Sequence, residues 1–422
     1  MFFQSLLYNI CLPIIFIVYL PFYLKKQLKR GGMDAGFWER FGFFSKEKRD
    51  ELAAPHMIWV HAVSVGETVA ALNFIAKWPG KKFVLSTTTT TGQAIARKRS
   101  PENVTVIYMP IDFRFAVKKA FNVIKPKALV IFEVEIWPNL LFQAKKRNIP
   151  IALVNGRMSD KSFKGFTKHS WFFQPIFNLF SLICVQSEAD AARFAGVSGG
   201  QIKPIVCNTM KFDQAPSTDA ALSPDTMKKY FKSESPVIFN AASTHPGEEK
   251  LIIDIYKKLK VEVPNLVLLL VPRHVERTPE IELLLKEEGV EYNLFKNSLV
   301  HPSDILLVNV TGELLSLISI SDIVYVGKSL AGNEGGHNII EPAVFGKPVL
   351  HGVNMQNFRL VVDAFTNDKS STIVTEESFE QTLLSLLKDE EKRKALGKAA
   401  LKTVNSNSGA INKTIEALNR LI

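Results

Sequence analysis

The 422-residue sequence predicts an α/β protein built from two doubly wound, Rossmann-like halves. From about residue 55 onward, short apolar runs alternate with helical segments of roughly 10–15 residues. The alternation stops at the polar stretch 214–235, which contains two prolines, and then starts again. Near-continuous apolar strands between helices indicate parallel sheets that are covered on both faces.

The chain is 46% hydrophobic and 22% charged, which is typical of a globular protein. Its formal net charge of +11 favours anionic partners, and these include nucleic acid, acidic lipid head groups and phosphorylated substrates. Charge alone does not choose among them. The three cysteines form no CxxC motif or Cys/His cluster at metal spacing, and their odd, sparse count disfavours a disulfide scaffold and favours a reducing compartment.

The amino-terminal 24 residues contain no charged side chain. An apolar stretch of about 20 residues is long enough to cross a bilayer. Basic residues follow between positions 25 and 30, which predicts that this flank lies in the cytoplasm. We therefore predict a membrane anchor over residues 1–30. Pro13 and Pro21 leave open a bent helix that lies in one leaflet instead.

The first predicted domain comprises residues 31–213. Its apolar runs are interpreted as strands, and helical patterns such as 67–78 and 113–124 lie between them. The predicted strands are 57–63, 82–88, 104–110, 128–135, 151–157, 182–187 and 204–208.

The second predicted domain, residues 236–422, follows a linker at 214–235. From about residue 376 the pattern is helical, and these closing helices can pack back on the first domain. The predicted strands are 236–243, 266–273, 305–309, 322–327 and 348–352. In doubly wound folds ligands bind at the carboxyl ends of the strands, so the candidate functional residues are expected at those ends.

One candidate lies where the first strand ends, in the turn with Ser64 and Gly66 before a helix that begins near Glu67. A small-residue turn before a helix amino terminus suits an anionic or polar ligand. Two interpretations of Glu67 stay open: it complements the helix dipole, or it acts as a general base.

The next candidates are Glu133 and Glu135, which lie two residues apart at the end of a very apolar strand and therefore share one face. Carboxylates there are either exposed or ion-paired, or they are functional. Lys211 ends the first half. It is either a solvated lysine or a cation for a departing phosphate.

The second half places polar residues at several strand ends. Ser243 and Thr244 precede a likely capping pattern, and Arg273 ends a strand with a guanidinium that matches phosphate geometry. Each has a structural interpretation as well as a ligand-binding one. A second group comprises Gly335, Gly336, His337, Asn338 and Glu341.

Several common motifs are absent from the sequence. The phosphate loop GxxxxGK[ST] and the dinucleotide motif GxGxxG do not occur, nor does H-E-x-x-H. No Asp-x-Asp occurs, so a metal-dependent glycosyltransferase is not indicated and no metal ligand is predicted.

Taken together, the strand-end segments resemble the 3-deoxy-D-manno-octulosonic acid (Kdo) transferase family in order and spacing. The similarity runs from about residue 37 to about residue 360. The segments are WVHAVSVGE, STTTTTG, FEVEIWPNL, VNGRMS, QSEADAARF, MKFD, STHPGEE, LLLVPRH, TGEL and GGHNIIEPAVFGKPVLHG.

The resemblance implies a GT-B fold, with two Rossmann-like domains facing a central cleft. It implies an inverting, metal-independent transferase of lipopolysaccharide biosynthesis that needs no cofactor. The donor would be CMP-Kdo, bound by the second domain. The acceptor, bound by the first domain, would be the 6'-hydroxyl of a tetraacyl lipid A precursor, lipid IVA. The expected location is the bacterial inner membrane with the catalytic domains on the cytoplasmic side. The expected partners are these substrates and anionic lipids, not nucleic acid.

Residue roles follow from the same resemblance. Glu67 matches the family's general base, Glu133 a carboxylate that stabilises the transition state, and Lys211 a cation with a similar role. The segments that match CMP-binding positions are Pro272, Arg273, Thr311, Gly312, Glu313, Asn338, Ile339, Ile340 and Glu341.

The sequence departs from the family pattern on the nucleotide side. The family more often has Asp-x-Met-Gly-Glu-Leu where this chain has Asn309 and Thr311, and it usually has Gly-Gly-Ser where this chain has Lys328 in the middle. Two other classes stay open: a GT-B enzyme that uses a UDP-sugar, such as a lipid-linked N-acetylglucosaminyltransferase or an epimerase, and a non-catalytic module that binds anionic membrane or nucleic acid.

Overall fold

The computed structural model describes residues 2–28, 36–215, 230–295 and 302–422. The chain divides into two compact units, Met1–Gln214 together with Gly409–Ile422, and Ala215–Ser408. Most of the predicted linker, residues 216–229, lies outside the described residues. The second domain was predicted to extend to residue 422, with closing helices that can pack back on the first domain, and the last helix does belong to the first unit.

The first unit contains a seven-stranded sheet in the order β3-β2-β1-β4-β5-β6-β7, and each described strand pair is parallel. Successive side chains of β1 face opposite sides, so Trp59 packs in one apolar core while Ile58 and Val60 pack in the other. Both faces are therefore buried, as the continuous apolar runs predicted. The strands are β1 Ile58–Ala62, β2 Phe83–Thr87, β3 Val104–Tyr108, β4 Ala128–Phe132, β5 Ile151–Gly156, β6 Leu182–Val185 and β7 Ile205–Val206.

Helices cover both faces of this sheet. Short 3-10 helices lie at Phe37–Phe41 and Phe212–Gln214. The α-helices are α1 Phe2–Leu28, α2 Lys46–Leu52, α3 Val65–Ala76, α4 Thr90–Arg99, α5 Arg114–Ile124, α6 Pro138–Lys146, α7 Asp160–Lys168, α8 Ser170–Phe177 and α9 Glu188–Val197.

The second unit repeats the architecture with a seven-stranded sheet in the order β10-β11-β9-β8-β12-β13-β14. Two of its strands, β10 and β14, were not predicted. The strands are β8 Val237–Thr244, β9 Leu266–Pro272, β10 Asn293–Leu294, β11 Ile305–Leu307, β12 Ile323–Val326, β13 Val349–His351 and β14 Thr372–Ile373.

The helices of the second unit pack on the two faces of its sheet, with Phe239 in one core and Ile238 in the other. Short 3-10 helices lie at Val275–Arg277 and Gln356–Phe358. The α-helices are α10 Glu248–Glu262, α11 Thr278–Glu287, α12 Leu314–Ile320, α13 Ile340–Val344, α14 Arg359–Asn367, α15 Phe379–Lys388 and α16 Glu390–Asn407.

The last helix, α17 (Ala410–Asn419), returns to the first unit. The Asp213 carboxylate accepts hydrogen bonds from the backbone N–H groups of Gly409 and Ile411, at 2.8 Å each. This carboxylate satisfies two of the donors that a helix amino terminus leaves unpaired. At the other end the Trp78 indole donates to Asn419 Oδ1 over 3.1 Å.

The first helix, α1, packs on the first unit through its polar side chains. Asn9 and Asn139 exchange hydrogen bonds of 2.9 and 3.0 Å, and Gln4 donates to the Trp171 carbonyl. Apolar side chains such as Ile14 and Ile17 are exposed, the latter by 68%. No helix in the described ranges has both the length and the apolar character needed to cross a bilayer, so the predicted anchor is not supported as a spanning helix.

Candidate functional site

The carboxyl end of β1 holds Glu67 in the first turn of α3. The Ser64 hydroxyl and backbone N–H donate to Glu67 Oε1 over 2.7 and 3.3 Å, and the Val63 N–H donates to Oε2 over 2.9 Å. In return Ser64 Oγ accepts from the Glu67 N–H, which completes a capping box. The carboxylate is 9% exposed, so its position is fixed by its own turn.

Glu133 follows the last residue of β4 and has a φ of 55°. This left-handed conformation is unfavourable for a residue with a Cβ, and it turns the chain away from the sheet at the strand end. Burial raises the pKa of Glu133, and the negative charge of Glu67 raises it further. The positive charges of Arg157 and Lys211 act in the opposite direction, which places all four groups in one electrostatic neighbourhood.

Glu135 belongs to the same group. Burial raises its pKa to about 7, and the charge of Glu67 is the second cause. Lys211 is held nearby because the Met210 N–H donates to Asn155 Oδ1 over 3.2 Å, at the end of β5. Burial and the charge of Arg157 lower the pKa of Lys211 to about 8, while Glu133 raises it.

The first unit therefore brings the predicted residues Ser64, Glu67, Glu133 and Lys211 together at the ends of β1, β4 and β5 and in the segment after β7. Sequence reasoning missed Arg157, although it ends the predicted strand 151–157. A cation at a strand end next to two glutamates was the available signal. Gly66 is exposed, and an added Cβ would meet nothing within 4 Å, so packing does not require this glycine.

The second unit places a fully buried carboxylate at the equivalent position. Glu248 lies in the first turn of α10, and its side chain accepts from the backbone N–H groups of Lys328, Ser329 and Leu330 at 2.8, 2.9 and 3.1 Å. The His245 N–H and the Tyr325 hydroxyl also donate to it. An added Cβ at Gly327 would lie 2.8 Å from this carboxylate, so only glycine fits there.

Three histidines meet around this carboxylate. The Nε2 atoms of His245 and His337 are 3.0 Å apart and their rings stack at a centroid distance of 5.2 Å. The His274 ring meets His245 edge to face at 5.7 Å. Burial, and next the charge of Arg273, lower the pKa of His337 to about 4.

The predicted nucleotide segments lie around these histidines. Asn338 donates to Glu341 Oε1 over 3.3 Å, and its own Oδ1 accepts from the Ile340 N–H. Burial raises the pKa of Glu341, while Asn338 and Arg273 lower it. Ile339 and Ile340 are fully buried, so neither residue presents an accessible surface to a ligand.

Three of the remaining predicted residues of the second unit are buried, and the three others directly precede α12. Thr244 is fully buried in β8, and Ser243 has a φ of 56°. Pro272 ends β9 and is buried. In the described ranges no hydrogen bond or ion pair joins the exposed Thr311 or Gly312 to Arg273. Glu313 directly precedes α12, without a capping hydrogen bond from its side chain.

The glycine pair before His337 is required by the backbone. Gly335 and Gly336 have φ values of 109° and 67°, and a Cβ on Gly336 would lie 2.2 Å from the Met355 sulfur. Sequence reasoning identified this pair. It missed His245, His274 and the long-range role of Glu248, which the sequence alone presents as a helix-capping residue.

The sequence matches a family model described as 3-Deoxy-D-manno-octulosonic-acid transferase (kdotransferase) over residues 35–214. A 3-deoxy-D-manno-octulosonic acid transferase of Haemophilus influenzae is 31% identical, and the alignment covers 99% of this chain and 97% of that protein. This full-length similarity extends the match well beyond the first unit.

Solved structures show similarity in fold. UDP-GlcNAc 2-epimerase from Neisseria meningitidis has a TM-score of 0.57 at 13% identity, covering 86% of this chain and all of that one. MurG of Acinetobacter baumannii has a TM-score of 0.54 at 10% identity, with 87% and 100% covered. At these identities the likeness concerns the fold alone, and it supports the predicted GT-B class.

Proposed function

Because the chain belongs to the Kdo transferase family, we propose that it transfers Kdo from CMP-Kdo to the 6'-hydroxyl of the tetraacyl lipid A precursor lipid IVA. The transfer inverts the anomeric centre and needs no metal or cofactor. The observation that carries the proposal is Glu67, which a capping box holds beside a second carboxylate and two cations at the ends of parallel strands.

The acceptor hydroxyl loses a proton as its oxygen attacks the anomeric carbon, and Glu67 accepts that proton. A carboxylate offers about four lone-pair directions, and three donors from residues 63 and 64 occupy part of them. The same donors fix the carboxylate, which limits the reorganisation needed at the moment of transfer. Backside attack with loss of CMP gives inversion.

Charge at the reacting centre changes as the bond to the CMP phosphate breaks. Lys211 remains largely protonated at pH 7 because its pKa lies at about 8. With Arg157 it supplies positive charge, and Glu133 supplies a partly buried carboxylate that favours an electron-poor sugar carbon.

The donor belongs to the second unit. Arg273 at the end of β9 provides a guanidinium for a phosphate oxygen, and Glu341 provides an acceptor for ribose hydroxyls. This assignment favours a nucleotide donor, and the family membership favours CMP over the UDP-sugars of the alternative class.

The acceptor has long acyl chains, so we also propose that the protein works at the cytoplasmic face of the bacterial inner membrane. The exposed apolar side chains of α1, such as Ile14 and Ile17, are suited to lie in one leaflet beside anionic lipids. Nucleic acid is not an expected partner.

The test is purified full-length protein incubated with CMP-Kdo and lipid IVA, with CMP release and the mass of the lipid followed. We expect a lipid product heavier by Kdo residues. UDP-N-acetylglucosamine serves as the alternative donor. A folded sample that leaves lipid IVA unchanged with CMP-Kdo would overturn the proposal, and product formed from the UDP-sugar would favour the alternative class.

A further inference from the structure

The second unit contains a histidine pair whose geometry implies a shared proton. With the Nε2 atoms of His245 and His337 3.0 Å apart, one ring must donate its N–H and the other must accept. A neutral pair of this kind presents one ring nitrogen outward as a donor and the other outward as an acceptor. Adding one proton converts that acceptor into a second donor.

The buried Glu248 carboxylate connects the two backbone segments that carry the rings. It accepts from the His245 N–H over 2.9 Å and from the Lys328 N–H over 2.8 Å. The Lys328 carbonyl in turn accepts from the Gly336 N–H over 2.9 Å, and Gly336 directly precedes His337. Both histidine segments are therefore tied to one carboxylate, so the contact between the rings does not depend on flexible side chains alone.

The charges that face the pair are mainly positive. His337 faces Arg273, Lys328 and His274. His245 faces Lys328, His274 and Arg277, with Glu248 as its acidic neighbour.

The acidic groups nearby are already engaged. Five donors satisfy Glu248, and Arg277 is ion-paired with Glu249 and Glu280. Lys328 occupies a position where the family usually has glycine, so this chain adds a cation beside the pair.

The pair lies among cationic side chains, and both of its histidines resist protonation. These surroundings favour binding of an anion over binding of a cation. Burial is the first cause that lowers the pKa of each histidine, and in His337 it brings the pKa to about 4. A metal ion would need a suitable set of ligands, and in the described ranges no three or more His, Cys, Asp or Glu side chains form one.

We propose that His245 and His337 form a phosphate-binding pair for the nucleotide donor, and that the pair takes up one proton from solvent when the phosphate binds. The added proton makes a new N–H that donates to a phosphate oxygen, and no covalent bond forms or breaks in this step. The proposal rests on the proposed function, because it assumes that the second unit binds the nucleotide donor.

Calorimetry of the full-length protein tests the proton uptake. The probe is the methyl ester of CMP, whose phosphodiester charge does not change over the pH range used. Titrations at pH 7 in two buffers with different ionisation enthalpies give the number of protons taken up. We expect about one proton for the ester and none for cytidine, which lacks the phosphate.

Proton uptake predicts the direction in which the affinity for the ester changes with pH. The anion raises the pKa of the pair in the complex above that in the free protein. Affinity is therefore greatest at low pH and falls as pH rises through the pKa of the complex, by up to about tenfold per pH unit. Affinity for the ester that is constant from pH 6 to pH 8, or equal uptake with cytidine, would overturn the proposal.

Substitution of one histidine tests whether the pair is the group that takes up the proton. His337→Gln should abolish it and weaken ester binding about tenfold or more, while His169→Gln, an exposed histidine of the first unit, should change neither. Uptake that persists in folded His337→Gln would contradict the assignment. If that variant does not fold, NMR titration of the wild-type imidazoles with and without the ester replaces it, and we expect their pKa values to rise in the complex.

The outcomes separate the two proposals. If Kdo transfer occurs and the ester binds without proton uptake, the histidine proposal fails and the proposed function stands. If the ester does not bind and lipid IVA is unchanged, the proposed function fails as well.

Discussion

The two units place a glutamate at the same topological position, and the two glutamates differ in what surrounds them. Glu67 lies in the first turn of the helix after β1, and Glu248 in the first turn of the helix after β8. All donors to Glu67 come from residues 63 and 64. Four of the five donors to Glu248 come from residues 325–330, some 80 positions away.

A glutamate at the start of a helix can therefore be held by its own turn or be enclosed by a distant part of the fold. A carboxylate held only by its own turn is fixed from one side and keeps an open side for a substrate. A carboxylate enclosed by donors from a distant loop has no open side, since Glu248 is fully buried, but it joins two segments of the second unit. Substitutions that keep the shape of the side chain and remove its charge can separate these roles.

The largest expected effect is on turnover in Glu67→Gln. Glutamine can keep its oxygen on the Ser64 donors, but its NH₂ would face the Val63 N–H, so the free energy of unfolding should fall by about 1 kcal/mol. It cannot act as the base, so kcat should fall by roughly 10²–10⁴-fold. Steady-state Kdo transfer and chemical denaturation measure the two quantities.

Glu67→Ala is the matched variant, because it leaves Ser64 as the helix cap but removes the acceptor for all three donors, and it should cost about 1–2 kcal/mol of stability. A Glu67→Gln enzyme with near wild-type kcat would remove Glu67 from the role of base.

The second expected effect is on stability in Glu248→Gln. The amide NH₂ of glutamine would face backbone N–H groups that now have a carboxylate oxygen, so we expect a loss of about 3 kcal/mol in the free energy of unfolding. Denaturation with urea gives this value. A change as small as that of Glu67→Gln would show that the enclosed carboxylate is not structural, and the comparison between the units would fail.

The sequence predicts most strands of both units, but it does not predict how differently the two glutamates are surrounded. All twelve strands predicted from apolar runs occur, because continuous burial on both faces leaves a strong pattern. The strands Asn293–Leu294 and Thr372–Ile373 were missed, because neither lies in a longer apolar run, whereas the equally short Ile205–Val206 lies in the predicted run 204–208.

The residues of the candidate site are likewise only partly predictable from the sequence. Glu67 and Glu248 look alike in the sequence, since each follows a small-residue turn at a helix start. What distinguishes them is a contact across about 80 residues, and pairing of that range depends on the fold rather than on local spacing. The contact between His245 and His337 was missed for the same reason.

The third prediction concerns the pH dependence of the first unit. Burial and the charge of Glu67 raise the pKa of Glu135 to about 7 in the folded protein. Its protonated form is therefore favoured by folding, and the stability from this group is full below about pH 4.5 and is lost as pH rises through about 7. Glu135→Gln should flatten this part of the stability profile.

The titration of Glu135 also tests whether the charge of Glu67 acts on this carboxylate. Glu67→Gln removes a negative charge that faces Glu135, so the pKa of Glu135 should fall in this variant, as carbon-detected NMR of the carboxyl groups can measure. Glu248→Gln is the matched control, because it lies in the other unit. An unchanged pKa of Glu135 in Glu67→Gln would show that the two carboxylates do not interact.

The smallest expected effect is in Lys328→Gly, at the loop that Glu248 holds. Lys328 has a φ of 64°, and relief of this left-handed strain should raise the free energy of unfolding by about 0.5–1 kcal/mol. Loss of the cation should at the same time weaken binding of the CMP methyl ester a few-fold. Lys369→Gly is the matched control, because Lys369 has a φ of 51° and is exposed elsewhere in the second unit. It should gain similar stability and keep its affinity for the ester, so equal affinities in the two variants would mean that Lys328 holds a strained backbone without serving the anion.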